Sequence, residues 1–398
     1  MVKPKELVHS KAVLCLLFLV ITLVAAAKLI KKGKDFGFQI MEAGNDWVVY
    51  ETYAREILFG DLLSRIESPF ISMNFGYRYL LALVHQLTGE DPASVMLFQQ
   101  SLMGLLVCFL TALILKRYGT KTALLFVVLS LFANQLKSVS FPLLDTTWSI
   151  VFSSLCLVSL LLYVRKPSFF WSFVAAATLG VSVLLRANFV PFIPLAALWM
   201  LCSNRKKNLS VSLAHALFFI VVTISIFSLL GWRNYVVGGE WRWFLDTGLF
   251  NLWIGNLPPE FNGPTYFEPA WTPSHPEIGS HVFNYILQDP MAWVLRTIEK
   301  ALYILGIDIR TNIDIKSNIM VPWLIATFGF VKLYKSNIVS RIDIVLLVTW
   351  ILVVNLPLII IFPWGYGHRL SAPSFPALYL ICAFILSQYS WSKVKFRT

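Results

Sequence analysis

The chain has 398 residues, of which 57% are apolar, 15% aromatic and 14% charged, and its 33 Lys and Arg exceed its 21 Asp and Glu by 12. A soluble domain is about 45–50% apolar and about a quarter charged, so this excess cannot be enclosed in a core of this size, which excludes soluble, disordered and coiled-coil proteins. The apolar residues must fall into helical runs of about 20 residues, which cross roughly 30 Å of hydrocarbon with their backbone groups paired internally.

The first run, near 12–30, follows Lys3, Lys5 and Lys11 and ends in Ala25-Ala26-Ala27, as a signal peptide would. Its span length and the following Lys28, Lys31, Lys32 and Lys34 mark a retained helix instead. Residues 31–94 then form a first outer segment with two amphipathic stretches. From Asp46, Trp47, Tyr50, Ala54 and Ile57 recur at helical spacing; between Tyr77 and Leu87, Leu80, Leu81, Val84 and Leu87 share one side. Both read as helices in the interface plane, which would hold Asp46 close to the lipid headgroups.

Further spans are expected near 95–115, 122–141, 143–164, 169–186, 188–204 and 209–231. The third and fourth are separated by a short surface hairpin from Ser138 to Asp145. A second outer segment, 232–317, is rich in rings, among them Trp241, Trp243, Trp253, Trp271 and Trp293, and in turn formers such as Pro258-Pro259. These rings suit an interfacial belt or the lining of a sugar or headgroup site. Spans near 318–334, 342–362 and 370–390 complete a single polytopic domain of about ten transmembrane helices, an all-α integral membrane protein.

Sorting charges by side gives one set of short loops and tails 17 cations and two acids, Glu6 and Asp343, net +15. The other side holds 16 cations and 19 acids, net −3. Short basic loops face the cytoplasm, so both termini are expected inside the plasma membrane and both long segments outside. Most of the surplus positive charge is therefore an orientation signal. All five cysteines fall in or at the ends of spans, which leaves no thiol for disulfides or metal ligation outside.

Few ionisable residues stand out. Asp46 and Asp145 each precede a helical run and suit either an N-cap or, for Asp46, a general base acting on an acceptor hydroxyl. Arg186 ends the fifth span and Arg369, after His368, begins the tenth. Each either snorkels to the interface or pairs bidentately with a lipid phosphate, and Arg233 shares that ambiguity. The outer segments offer no His-x-x-x-His pair, Asp-x-Asp pair or glycine-rich phosphate loop, so neither a metal nor a nucleotide is expected.

In this order these pieces resemble the GT-C superfamily of polytopic glycosyltransferases, in particular family 39-like members related to protein mannosyltransferases and the lipid A aminoarabinose transferase. Gly44-Asn45-Asp46 with Tyr50 is similar to the family's Gly-Asp-x-x-x-Tyr. Leu184-Leu185-Arg186 before Pro191 resembles Leu-x-Arg-Pro, with Ala187 in place of proline. Trp232-Arg233-Asn234-Tyr235, then Trp253 to Asn256, resembles an Arg-Asn-Tyr to Gly-Asn block. His368-Arg369-Leu370 with Pro373 and Pro376 resembles Arg-Tyr-x-x-Pro-x-x-Pro, with leucine for tyrosine.

The resemblance implies inverting transfer of a sugar from a polyprenyl-phosphate donor to a glycan, lipid or protein acceptor on the extracytoplasmic face, without a cofactor. Asp46 would be the base. Arg186, Arg369, His368 and Arg233 would hold the donor phosphate, and Asp145, Tyr50, Tyr77, Trp253 and Asn256 would line the substrate site. A lipid-linked glycan polymerase or ligase, or a lipid or sugar transporter or flippase, are the alternatives. A transporter should carry charges at mid-span or paired broken helices, whereas the acids here cluster outside the spans.

Overall fold

The computed structural model describes residues 46–65, 75–132, 144–204, 209–243, 251, 255–256, 278–309, 314–336, 339–360 and 370–388. The expected first span lies outside the described residues. Two helices precede the bundle, α1 (Asp46–Leu58) and α2 (Phe75–Thr88). The bundle follows as α3 (Pro92–Tyr118), α4 (Thr120–Phe132), α5 (Thr146–Arg165), α6 (Phe169–Leu185), α7 (Phe192–Asn204) and α8 (Leu209–Gly238). After the second outer segment's α9 (Ile278–Gln288) and α10 (Pro290–Ile304) come α11 (Ser317–Lys335), α12 (Arg341–Ile360) and α13 (Phe375–Ser387).

By length and composition α3, α5, α8 and α12 can each cross a bilayer, and α4, α6, α7 and α13 are shorter apolar helices. Large apolar side chains such as Leu105, Leu198, Leu217, Val221 and Leu352 lie exposed on their outer surfaces, as lipid-facing residues must. Helix starts use ordinary chemistry: Ser168 Oγ accepts from the Trp171 N–H at 3.3 Å at the head of α6, and Asp289 Oδ1 accepts from Ala292 N–H at 2.9 Å ahead of Pro290 in α10.

Two boundaries differ from the sequence expectation. Helix α8 runs on to Gly238, so Trp232 to Tyr235 are its last turns and not the start of a loop. Periodicity had no reason to stop there, but a belt of Trp and Tyr at the interface reads as a loop when judged by polarity. The second outer segment also contains a small antiparallel hairpin, β1 (Ile307–Asp308) paired with β2 (Asp314–Ile315). Segments so short leave no periodic pattern to read.

Most buried side chains form one cluster spanning α3 to α8 and α11 to α13. A smaller cluster joins α1 and α2 to the ends of α5 and α6, through Trp47, Tyr50, Ala54, Tyr77, Leu81, Leu144, Trp148 and Leu185. The first stripe, Trp47, Tyr50, Ala54 and Ile57, faces this second cluster; of the second stripe Leu81 and Val84 are buried in it and Leu80 packs at its edge, whereas Leu87 is exposed. Gly76 is what lets α2 sit down on α6: a Cβ there would lie 3.1 Å from Leu184 Cβ and 3.2 Å from the Leu184 carbonyl carbon. Gly180 does the same between α6 and α8, where a Cβ would meet Ile226 at 2.8 Å.

Candidate active site

The site begins where α6 stops. Leu185 is the last helical residue, and Arg186 turns extended at φ −153°, ψ 116°, before a 3-10 turn at Ala187–Phe189 leads into α7. Phe189 stacks on Trp350 of α12, with centroids 5.3 Å apart and planes at 10°, and Phe192 meets the same ring edge-on at 4.6 Å. Trp350 Nε1 donates at 3.0 Å to the Pro373 carbonyl, in a second 3-10 turn, Ala372–Ser374, that packs on α5. This aromatic anchor fixes the direction in which Arg186 leaves the helix.

The Arg186 guanidinium meets Asp145 in a two-point ion pair. Nε donates to Oδ2 at 2.6 Å and Nη2 to Oδ1 at 3.0 Å. Nη2 also donates to Thr146 Oγ1 at 2.7 Å and Nη1 to the Leu370 carbonyl at 3.4 Å. Both side chains are almost wholly buried, at 4% and 1% exposure. Asp145 occupies the N-cap position of α5 but its side chain caps nothing there; the carboxylate is committed to Arg186. The two residues assigned separate roles from sequence therefore share one interaction.

Around this pair stand the aromatic and amide groups of the smaller cluster. Tyr77 is fully buried, sits edge-on to Tyr50 at 4.9 Å, and its hydroxyl accepts from Gln99 Nε2 at 3.0 Å. Burial, with smaller contributions from Asp145, Tyr50 and Glu51, holds the Tyr77 phenol well above its ordinary value, so it stays neutral. Asp46 is the first residue of α1, half-buried beside Trp47, whose ring shares a cluster with the flanking Leu144 and Leu185. Buried polar atoms gather on these same elements: Trp47 Nε1, Gln99 Oε1, Thr147 Oγ1, Trp148 Nε1 and both amide atoms of Asn188 have no hydrogen-bond partner among the described residues. Buried polar groups of this kind are met by water, an ion or a polar ligand.

A second layer holds α1, α2 and their connection. Glu51 in α1 accepts from Arg55 Nε at 3.0 Å and lies 2.8 Å from His85 Nε2 of α2, while His85 Nδ1 lies 3.1 Å from the Gly89 carbonyl. Burial raises the Glu51 carboxyl, but His85 and Arg55 outweigh it and hold it below its ordinary value. Burial likewise lowers His85, and the Glu51 and Gly89 bonds outweigh that, so it stands above its ordinary value.

Arg233 is fully buried and meets backbone carbonyls. Its Nε donates to the Leu63 carbonyl at 2.8 Å, Nη2 to the Ser64 carbonyl at 2.6 Å and Nη1 to Asn234 Oδ1 at 3.3 Å. Ser64 has φ +51°, a strained left-handed value for a non-glycine residue. Its hydroxyl accepts from Arg78 Nη1 at 2.9 Å, and Arg78 stacks over Tyr53 at 4.2 Å. Arg233 thus clamps the turn after α1 to the end of α8.

Asn256 is a bracket of the same kind: Nδ2 donates to the Ile360 carbonyl at 3.1 Å, Oδ1 accepts from Trp293 Nε1 at 2.8 Å, and its carbonyl accepts from Arg296 Nη1 at 3.0 Å. Arg369, His368 and Trp253 lie outside the described residues. Thr146, Gln99, Arg78, Glu51 and His85 were not singled out from sequence. Only the Glu51–Arg55 spacing of four left a readable trace there.

Residues 73–232 match a family model described as dolichyl-phosphate-mannose-protein mannosyltransferase, a stretch that contains α2 to α7 and both partners of the ion pair. Among curated proteins no sequence matches. Among solved structures the chain is similar to ArnT from Cupriavidus metallidurans, crystallised bound to undecaprenyl phosphate, with a TM-score of 0.59 at 16% identity. That likeness covers 94% of this chain and 60% of ArnT, so the chain spans about three-fifths of that protein's length. The chain thus shares the polytopic helical membrane fold of that structure, and the family match lies within it over residues 73–232.

Proposed function

We propose that the protein is a glycosyltransferase that moves a sugar from a polyprenyl phosphate to an acceptor on the extracytoplasmic side of the plasma membrane. The observation that carries this reading is the buried Asp145–Arg186 pair, fixed at one end of the bundle among elements that carry a set of buried polar atoms without protein partners among the described residues. The match over residues 73–232 and the likeness to a protein crystallised with undecaprenyl phosphate support the donor class.

In this reading Asp46 accepts the proton of the acceptor hydroxyl or amine as the acceptor attacks the anomeric carbon, which inverts it, and the lipid phosphate leaves with the bonding electrons. Arg186 sets a fixed positive charge at that end of the bundle, where Asp145 and Thr146 hold its orientation. Preorganised charge in a partly dry site accounts for a large share of such catalysis. The lipid phosphate is itself the leaving group, so the scheme calls for no nucleotide. Tyr50 and Tyr77 form the wall between α1 and α2, and Arg369 and His368 are proposed phosphate contacts.

The test is incubation of the purified protein with a panel of polyprenyl-phosphate sugars, reading released lipid phosphate and glycosylated product by mass spectrometry. Asp46→Asn is expected to fold with wild-type melting behaviour and to lose transfer by about 100-fold or more, the range for a general base. Wild-type turnover by that variant would remove Asp46 from the base role.

A further inference from the structure

The cation-rich end of the bundle, opposite the Asp145–Arg186 pair, contains a half-open cavity of about 290 Å³ lined by α3, α4, α5, α12 and α13. Its walls are apolar, with Ile114, Leu157, Leu161, Leu347 and Leu380 among them. Its rim carries Lys116, Arg117 and Arg165. Water in an apolar cavity finds too few partners to stay, so this lining favours a hydrocarbon chain as occupant.

The rim decides what the chain is attached to. Arg117 Nη2 donates to Asp343 Oδ2 at 3.0 Å, and this pair is 14% and 3% exposed. Arg117 Nε and Asp343 Oδ1 are buried and have no hydrogen-bond partner among the described residues. Lys116 and Arg165 are exposed. Three cations against one acid leave this rim with an uncompensated charge of +2, directly above an apolar slot. We propose that the cavity is a binding site for an anionic phospholipid of the adjacent leaflet, with one acyl chain between α3, α5 and α13 and its phosphate at Arg117, Lys116 and Arg165. The site is separate from the transfer site and does not depend on the chemistry proposed there.

The experiment is native mass spectrometry of the full chain released from nanodiscs of equal phosphatidylglycerol and phosphatidylcholine. Wild type is expected to retain phosphatidylglycerol preferentially. Removing Lys116 and Arg165, in the variant K116A/R165A, should cut that retention by about fivefold for each cation lost. Val158→Phe, which narrows the cavity from its α5 wall, should reduce retention of both lipids. Because Lys116 and Arg165 are exposed, the double variant is expected to keep its melting temperature in phosphatidylcholine. Equal retention of the two lipids by wild type would overturn the proposal, as would unchanged retention in K116A/R165A. Displacement of the phospholipid by an equal amount of polyprenyl phosphate would overturn the assignment to a phospholipid.

Discussion

At the scale of single residues, one arginine carries most of the site's geometry. Arg186 reaches Asp145 at two points, Thr146 at a third and the Leu370 carbonyl at a fourth, so its guanidinium is shared among α5, α6 and the segment before α13. Removing one partner of a buried pair leaves an uncompensated charge, which costs about 3–5 kcal/mol. Arg186→Ala and Asp145→Ala are each expected to destabilise the protein by about that amount, whereas the double variant should lose less than the two combined. A thermal-melt double-mutant cycle with additive losses would show that the pair is not coupled. Sequence alone marked both residues for their position at helix ends. It could not show that they meet, because residues 41 positions apart are brought together only when α5 and α6 pack side by side.

Two elements, α1 and α2, form a unit whose cohesion depends on pH. His85 stands above its ordinary value of 6.5, so its favourable interaction is complete below that pH and is lost as pH rises through the folded value. Glu51 stands below its ordinary value of 4.5, so its share is present above that pH and is lost as pH falls through the folded value. The α1–α2 contact is therefore strongest between the two ordinary values and weakens on the alkaline side as His85 loses its proton. The protection factors of α1 and α2 against hydrogen exchange, taken relative to the intrinsic rate at each pH, should be higher near pH 5.5 than near pH 8.5 in wild type. His85→Gln should remove that difference.

The same unit is tied to the bundle by Arg233. Arg233→Ala would leave the Leu63 and Ser64 carbonyls without their donors, at about 1–3 kcal/mol for a buried group. Faster limited proteolysis between α1 and α2 is the expected result; unchanged cleavage there would show that the clamp is dispensable. The amphipathic stripes of both helices were legible in the sequence. Their clamp was not, since an arginine at the end of a span looks the same whether it meets phosphate or backbone.

At the scale of the whole molecule, charge and apolar runs set the layout. Helices α3, α5 and α11 end in Lys116 and Arg117, Arg165, and Lys332 and Lys335, while α5 begins and α6 ends at the Asp145–Arg186 pair. The bundle thus has a cation-rich end and a site end. Cys202, exposed near the foot of α7, lies at the cation-rich end. If that end faces the cytoplasm, a membrane-impermeant maleimide should label Cys202, in a variant with no other cysteine, in inverted vesicles and not in intact cells. Labelling in intact cells would reverse the orientation.

The sequence by itself determined that this is a helical, polytopic membrane protein with two segments on the less basic side, because hydrocarbon length and backbone pairing leave so few alternatives. It also marked the helix ends at which Asp46, Asp145 and Arg186 stand. Only the tertiary structure decided which of these residues share a bond and which, like Arg233 and Asn256, bond to backbone carbonyls of distant elements. A hydrogen bond between distant positions depends on helix packing, and helix packing leaves no local pattern in the chain.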